Sequence, residues 1–429
     1  MLLANAQSPR LQQRAFWLLL MAGLLCFTAF MLSFQLPEIE EFKIGQEMNL
    51  GRQEALQKAL AEDFNDEPEV YTLESVPLIN ETVREGRERL RKVAIRPDFI
   101  FISISSYRDE NCIETLTQIF TKCVYCDRVR IGLVDQLSDG DPPCQLPPEL
   151  HEQFQSQIRT IQFDAHQARG PTFARYLTSR LWRGEQYLLQ IDAHLNFISE
   201  WDRRLLDMEP RMPKAKFVIS HYPVATVGEL ENPGNAVPFI CQAKFDDYMK
   251  GLFSQDSGWY QINDHQGRPQ ASPFLGAGFL FAPYTMLIDV PYDRYLDFLF
   301  HGEEFAHSAR LWTSGYELVV PLENIVSHVY GHRKNNAFVD NPESSLLAEY
   351  ARDRVRYILG MSDLQPPRME EIEDLGLGHS RTFQEYLRYT GLDLEQRTIS
   401  SHCNDLYDWD TGQWYGVNQP KPPKKPTMT

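Results

Sequence analysis

The spacing of apolar and polar residues divides the chain into four stretches. Residues 16–34 are nineteen positions without a charge, just long enough to cross a bilayer core as a helix. From 35 to 97 the chain is acidic and then mixed in charge, with few large apolar residues between Glu38 and Glu69. Such a segment cannot bury much surface and reads as a stalk. Beyond Asp98 short apolar runs return. Residues 99–105, 128–134, 158–163, the run from Tyr187 into Asp192, 217–220 and 278–281 are rich in β-branched and aromatic side chains, which predicts strands. Between them Ile113, Leu116, Ile119 and Phe120 mark one helical face, and 172–183 predicts a second helix. Strands alternating with helices predict an α/β fold with a doubly wound, mostly parallel sheet. A stretch of roughly three hundred residues, 98–407, can bury a full core as one domain. The remainder, 408–429, includes a Pro- and Lys-rich run at 421–426 and is expected to be a disordered, solvated tail.

Charge gives the first stretch a direction. Arg10 and Arg14 precede the apolar run and no acidic residue occurs in the first fifteen, whereas Glu38, Glu40 and Glu41 follow it. The positive-inside rule then leaves 1–15 in the cytosol and everything after the run in a lumen. No small-x-small cleavage site follows. The expectation is an uncleaved type II signal anchor at 16–34, a single membrane-spanning helix, with the large domain luminal in the Golgi or the ER. Asn80-Glu81-Thr82 is an N-glycosylation sequon in the stalk. Six cysteines lie beyond Cys26, enough for three disulfides in any of fifteen connectivities. Cys123 and Cys126 form a Cys-x-x-Cys, but no second pair or neighbouring histidine pair completes a zinc site. A net charge of −17 argues against nucleic acid as a partner. No glycine-rich dinucleotide fingerprint follows the first strand and no Walker motif occurs, which argues against a dehydrogenase or an ATPase.

Chemistry gathers at four segments. Asp192 and His194 close the run that starts at Tyr187, and two residues apart on a strand they point the same way. That is the edge at which open α/β sheets bind ligands. One carboxylate oxygen and one imidazole nitrogen suit Mn²⁺, which in turn can hold a pyrophosphate; nucleotide-sugar glycosyltransferases use this pattern, usually as Asp-x-Asp. The first strand ends in Ser105-Ser106-Tyr107-Arg108-Asp109, where an aromatic ring and a carboxylate can stack on and hydrogen-bond a uracil, or simply form a turn capped by Asp109. In the segment from Ala168 to Arg175, Gly170-Pro171 opens a helix flanked by Arg169 and Arg175, suited to an anionic diphosphate or to a solvated surface. Glu303 and Glu304 open a helix that Gly315 ends. They either complement its dipole or face a sugar. His328 and His332, beside Tyr330, are both candidates for a third metal ligand.

These segments together resemble the GlcNAc-transferase family. Residues 101–109 and 168–175, Gln190 to His194, Trp201-Asp202, Gly302-Glu303-Glu304 and 376–382 carry the likeness, which spans about 98–396. That family attaches α-linked N-acetylglucosamine to hydroxyl groups of polypeptides, hydroxyproline in a cytosolic branch and Ser/Thr in a secretory branch. The resemblance implies a GT-A nucleotide-diphosphosugar transferase fold, UDP-GlcNAc as donor, a divalent cation and retention at the anomeric carbon. The Glu303 segment also resembles the mucin-type GalNAc-transferases, whose Gly-Glu-Asn helix precedes a Val-Gly-His metal ligand. Aligned so, Val326-Ser327-His328 falls on the ligand and selects His328 over His332. The anchor departs from the cytosolic branch and favours the secretory one.

On this reading Asp192, His194 and His328 hold the metal. Ser105, Tyr107, Asp109, Arg169, Arg175 and Asp192 face the nucleotide, and Glu303 and Glu304 are catalytic. Attack from the front face, with the leaving phosphate taking the acceptor's proton, and a covalent step on one of the two glutamates are both compatible with the sequence. The alternatives are a transferase that uses another UDP-hexose on a glycan acceptor and a non-catalytic, membrane-tethered glycan-binding protein. A glycoside hydrolase could also use the paired acids, but it needs no Asp-x-His and no metal.

Overall fold

The structure, a computed structural model, describes residues 69–226, 234, 236–245, 253–261, 269–331, 334–400, 403, 407–408 and 413–414. The expected anchor at 16–34 and His332 lie outside the described residues. Among those described, no helix is long and apolar enough to cross a membrane.

The six predicted apolar runs and two further edge strands assemble into one eight-stranded sheet. Its order is β1 (Glu69–Tyr71), β4 (Ile158–Asp164), β3 (Val129–Leu137), β2 (Arg96–Tyr107), β5 (Glu185–Asp192), β11 (Phe279–Pro283), β7 (Phe217–Ser220) and β12 (Glu317–Val319). Pairing is parallel from β1 through β5 and between β7 and β12; β11 alone runs the other way, against β5 and β7. A short sheet of β6 (Leu195–Phe197), β13 (Val326–His328) and β8 (Val224–Ala225) stands beyond the end of β5, and β9 (Ala236–Phe245) with β10 (Phe253–Gln261) forms a hairpin.

Helices cover both faces. Ten are used below: α1 (Val83–Leu90), α2 (Cys112–Thr121), α3 (Pro148–Phe154), α4 (Pro171–Ser179), α5 (Trp201–Met208), α6 (Thr285–Asp289), α7 (Glu303–Thr313), α8 (Ala337–Asp340), α9 (Ser344–Ile358) and α10 (Phe383–Thr390). Side chains alternate along β2. Ile100, Ile102 and Ile104 pack with Leu116 and Ile119 of α2, Phe154 of α3 and Leu205 of α5. Phe101 turns to the other face, with Phe173 and Leu177 of α4 and Leu287 of α6. A third cluster joins Phe305, Ala309 and Trp312 of α7 to Val355 of α9 and Tyr386 of α10. The mostly parallel, doubly wound expectation thus agrees with the sheet.

Three features differ from the sequence reading or complete it. From Glu69 the segment expected as stalk is built into the domain. β1 adds an edge strand beside β4, and α1 is tied down by Arg87 to Asp374 (3.1 Å) and by the Val83 N–H to Glu371 (2.6 Å). Its partners lie almost three hundred residues away, so no local pattern reveals them. At the other end, Tyr407–Asp408 pairs with Gln413–Trp414 where a disordered tail was expected. The six cysteines pair as Cys112–Cys144, Cys123–Cys126 and Cys241–Cys403.

Candidate active site

The ends of β2, β3 and β5 open on the same edge of the sheet, and the candidate residues collect there. Asp192 ends β5. His194 follows it into β6, and His328 ends β13, which lies antiparallel to β6 with His328 opposite Leu195. The two imidazoles meet edge to face, with Nε2 of His194 3.0 Å from Nε2 of His328 and Asp192 Oδ2 3.2 Å from that same His328 nitrogen. Among the described residues these three can bring one ligand atom each within 4.8 Å of the others. Ligand atoms about 2.1 Å from an octahedral ion stand about 3 Å apart, so the three donors fit one cation and leave positions for oxygens of a diphosphate. Burial alone raises the Asp192 carboxyl, but the His328 hydrogen bond and the charges of His194 and Arg175 outweigh it and hold the group well below the usual carboxylate range. Gly278 passes close by: a Cβ there would lie 2.8 Å from Asp192 Oδ2, so a side chain would push the ligand aside.

Arg175 and Glu303 form the second half of the site. Gly170, at φ +86°, starts α4, whose buried Arg175 donates to Glu303 Oε1 and stands 3.7 Å from Asp192 Oδ1. Glu303 and Asp192 outweigh burial and keep Arg175 a cation. Its charge therefore sits beside the candidate metal ligands. Glu304 points elsewhere. Its Oε1 accepts the Ala277 N–H at 2.7 Å and its Oε2 accepts the Tyr222 hydroxyl at 2.6 Å. Burial pushes its carboxyl up to about 7, against those two hydrogen bonds.

The residues expected at the nucleotide divide. Ser105 lies opposite Asp192 in the sheet register, with its hydroxyl buried and without a hydrogen-bond partner among the described residues. The Tyr107 hydroxyl donates to Asp340 of α8 at 3.0 Å, and burial with that carboxylate raises it to about 12. Asp109 does not project freely toward a base: Oδ2 lies 2.7 Å from His194 Nδ1 and Oδ1 accepts the Asn111 N–H at 3.0 Å. Arg169 is likewise committed. It forms a two-pronged pair with Asp297 (2.8 and 3.0 Å) and lies 4.0 Å over the Phe173 ring. That leaves Arg175 as the arginine of its segment beside Asp192.

Sequence reasoning passed over three parts of the site. Asp135 lies two residues before the end of β3, is fully buried and receives the Cys144 N–H on one oxygen; burial raises it to about 6. Its position near a strand end was the available signal. The Ala277 amide and Tyr222, which hold Glu304, lie in loops without a pattern. The segment 376–382 clamps the C-terminal end of α7 rather than touching the site: the Gly378 N–H donates to Thr313 Oγ1 (2.8 Å), and Arg381 donates to the Trp312 carbonyl (2.7 Å) while stacking over the Trp312 ring.

Comparison with known proteins gives the site its context. Among curated proteins none matches this sequence. Similar solved structures include GalNAc-T7 with UDP, GalNAc and Mn²⁺, at 17% identity and TM-score 0.47, covering 70% of this chain and 57% of that one. Another is TarS 1–349 of S. aureus with UDP-GlcNAc, at 12% identity and TM-score 0.38, covering 62% and 68%. The chain thus spans little more than half the length of the GalNAc-T7 chain it matches. The profile of the family described as "Glycosyltransferase (GlcNAc)" matches residues 99–153 and 145–396, well over half the chain and every candidate site residue, and the chain belongs to that glycosyltransferase family.

Proposed function

We propose that this glycosyltransferase moves N-acetylglucosamine from UDP-GlcNAc to hydroxyl groups of polypeptides, Ser/Thr rather than hydroxyproline, with retention of configuration. The single observation that carries the reading is the convergence of Asp192, His194 and His328 at the sheet edge, with the Arg175–Glu303 pair beside Asp192. Mn²⁺ or another divalent cation, held by those three residues, would neutralise the diphosphate as it leaves. Arg175 adds a fixed positive charge on the same side. Ser105 and Asp135 offer buried oxygens near the ends of β2 and β3, where the nucleoside would lie.

Glu303 is engaged by Arg175, so it favours orienting the donor over attacking the anomeric carbon. That supports the front-face path. The bond from the anomeric carbon to the β-phosphate oxygen breaks, the acceptor oxygen bonds to the same carbon, and its proton passes to the departing phosphate. Glu304, with its raised carboxyl, can retain a proton near neutral pH and donate a hydrogen bond. The GT-A assignment, the 16–34 anchor and a luminal Golgi or ER location belong to this proposal.

The test incubates the enzyme with a Ser/Thr-rich peptide and UDP-GlcNAc, UDP-GalNAc or UDP-glucose, with and without chelator, and reads the product's anomeric coupling by NMR. An α-linked GlcNAc product formed only with metal is expected. Transfer of another hexose would change the donor alone, and a β-linked product would overturn the retaining mechanism.

A further inference from the structure

We propose that Asp109 is a positioning residue of the metal centre: its carboxylate fixes the ring orientation and tautomer of His194, making that histidine a preset ligand. The inference rests on the metal reading of Asp192, His194 and His328. Asp109 follows the end of β2 and cannot swing freely, because Oδ1 accepts both the backbone N–H (3.0 Å) and the side-chain amide (3.3 Å) of Asn111. Its other oxygen, Oδ2, lies 2.7 Å from His194 Nδ1. A carboxylate only accepts hydrogen bonds, so Nδ1 carries the hydrogen and the lone pair is placed on Nε2. That is the nitrogen 3.0 Å from His328 Nε2.

The backbone around His194 is pinned as well. The Thr115 hydroxyl of α2 reaches the carbonyls of Ala193 (2.9 Å) and Leu195 (3.0 Å) and accepts the Leu195 N–H (3.0 Å). His328 lacks such a support: its Nδ1 is buried with no partner among the described residues. The two imidazoles are therefore unequal. Carboxylate partners of ligating histidines orient the ring and raise its basicity, and here one ligand has that partner while the other does not.

The experiment titrates Mn²⁺ alone into the full-length protein, wild type, D109N, D192A and H328A, following the free ion by EPR and the melting temperature with and without Mn²⁺. In D109N the amide oxygen can still serve Asn111 while the NH₂ faces Nδ1, which shifts the ring hydrogen to Nε2 and blocks the metal lone pair. The expected result is Mn²⁺ affinity weakened by about 10- to 100-fold, an unchanged metal-free melting temperature and a lost Mn²⁺-induced rise. Wild-type Mn²⁺ affinity in D109N, with D192A weakened, overturns the role of Asp109 and leaves the metal reading intact. Equal binding in wild type, D192A and H328A overturns the metal reading itself. A measurement on the wild type decides the matter even if D109N folds poorly: imidazole ¹⁵N shifts of the metal-free protein should report His194 as the Nδ1–H tautomer, and the opposite tautomer contradicts the proposal.

Discussion

Replacing Arg175 with methionine removes a buried cation while keeping most of its stem. Arg175 is buried, donates to Glu303 and lies 3.7 Å from Asp192 Oδ1. The Glu303 side chain is only 8% exposed, so it cannot turn to water. Breaking a buried pair by removing one partner costs about 3–5 kcal/mol, a drop of roughly 5–8 °C in melting temperature for a domain of about three hundred residues. The double variant R175M/E303Q removes both charges of the buried pair. Replacing a buried pair as a whole is often nearly neutral, so the double variant should recover at least half of the loss while sugar transfer stays at background. Calorimetry and urea unfolding in chelator, alongside a UDP-release assay, measure both quantities. An R175M variant within about 1 kcal/mol of wild type, or a double variant no more stable than the single, would refute the reasoning.

Glu304 should make stability fall with rising pH. Its folded-state value of about 7 lies above the unfolded one, so the folded protein binds more protons between pH about 4.3 and 7, and stability drops across that window by on the order of 3 kcal/mol. E304Q should flatten this slope; parallel wild-type and variant curves from pH 5 to 8 would contradict it. G378A places a Cβ 2.4 Å from the Ser314 backbone nitrogen, and overpacking of this kind costs about 1–3 kcal/mol. An unchanged unfolding midpoint would remove 376–382 as the clamp on α7. In intact microsomes the large domain should resist added protease, and Asn80, exposed just before α1, should carry a glycan that endoglycosidase removes. Digestion of the domain without detergent would reverse the proposed topology.

The legible parts of this fold are those whose information is local. β2, β3, β4 and β5 lie inside a parallel sheet covered on both faces, so they read as unbroken apolar runs, and Asp192 and His194 follow from where one such run stops. α7 was visible from Glu303 and Glu304 at one end and Gly315 at the other. The residues alone left His328 and His332 as alternatives, because β13 is three residues long and joins β6 and β8 only in three dimensions; resemblance to a known motif selected His328. α1 was hidden because Arg84 and Arg87 on its polar face pair with Asp374, and the Val83 N–H with Glu371, far along the chain. Asp109 and Arg169 had the right residue types near the right strand ends, but His194 and Asp297 engage them, and those two partners come from other segments.

The central claim is that Asp192, His194 and His328 hold a divalent cation on which UDP-sugar chemistry depends. Release of UDP from UDP-GlcNAc, measured against Mn²⁺ concentration for wild type and D192A, tests it most directly. The account predicts saturable, chelator-sensitive turnover in the wild type and none above background in D192A, with the variant still folded, because a strand-end ligand contributes little packing. Turnover that survives chelation, or a fully active D192A, would contradict it.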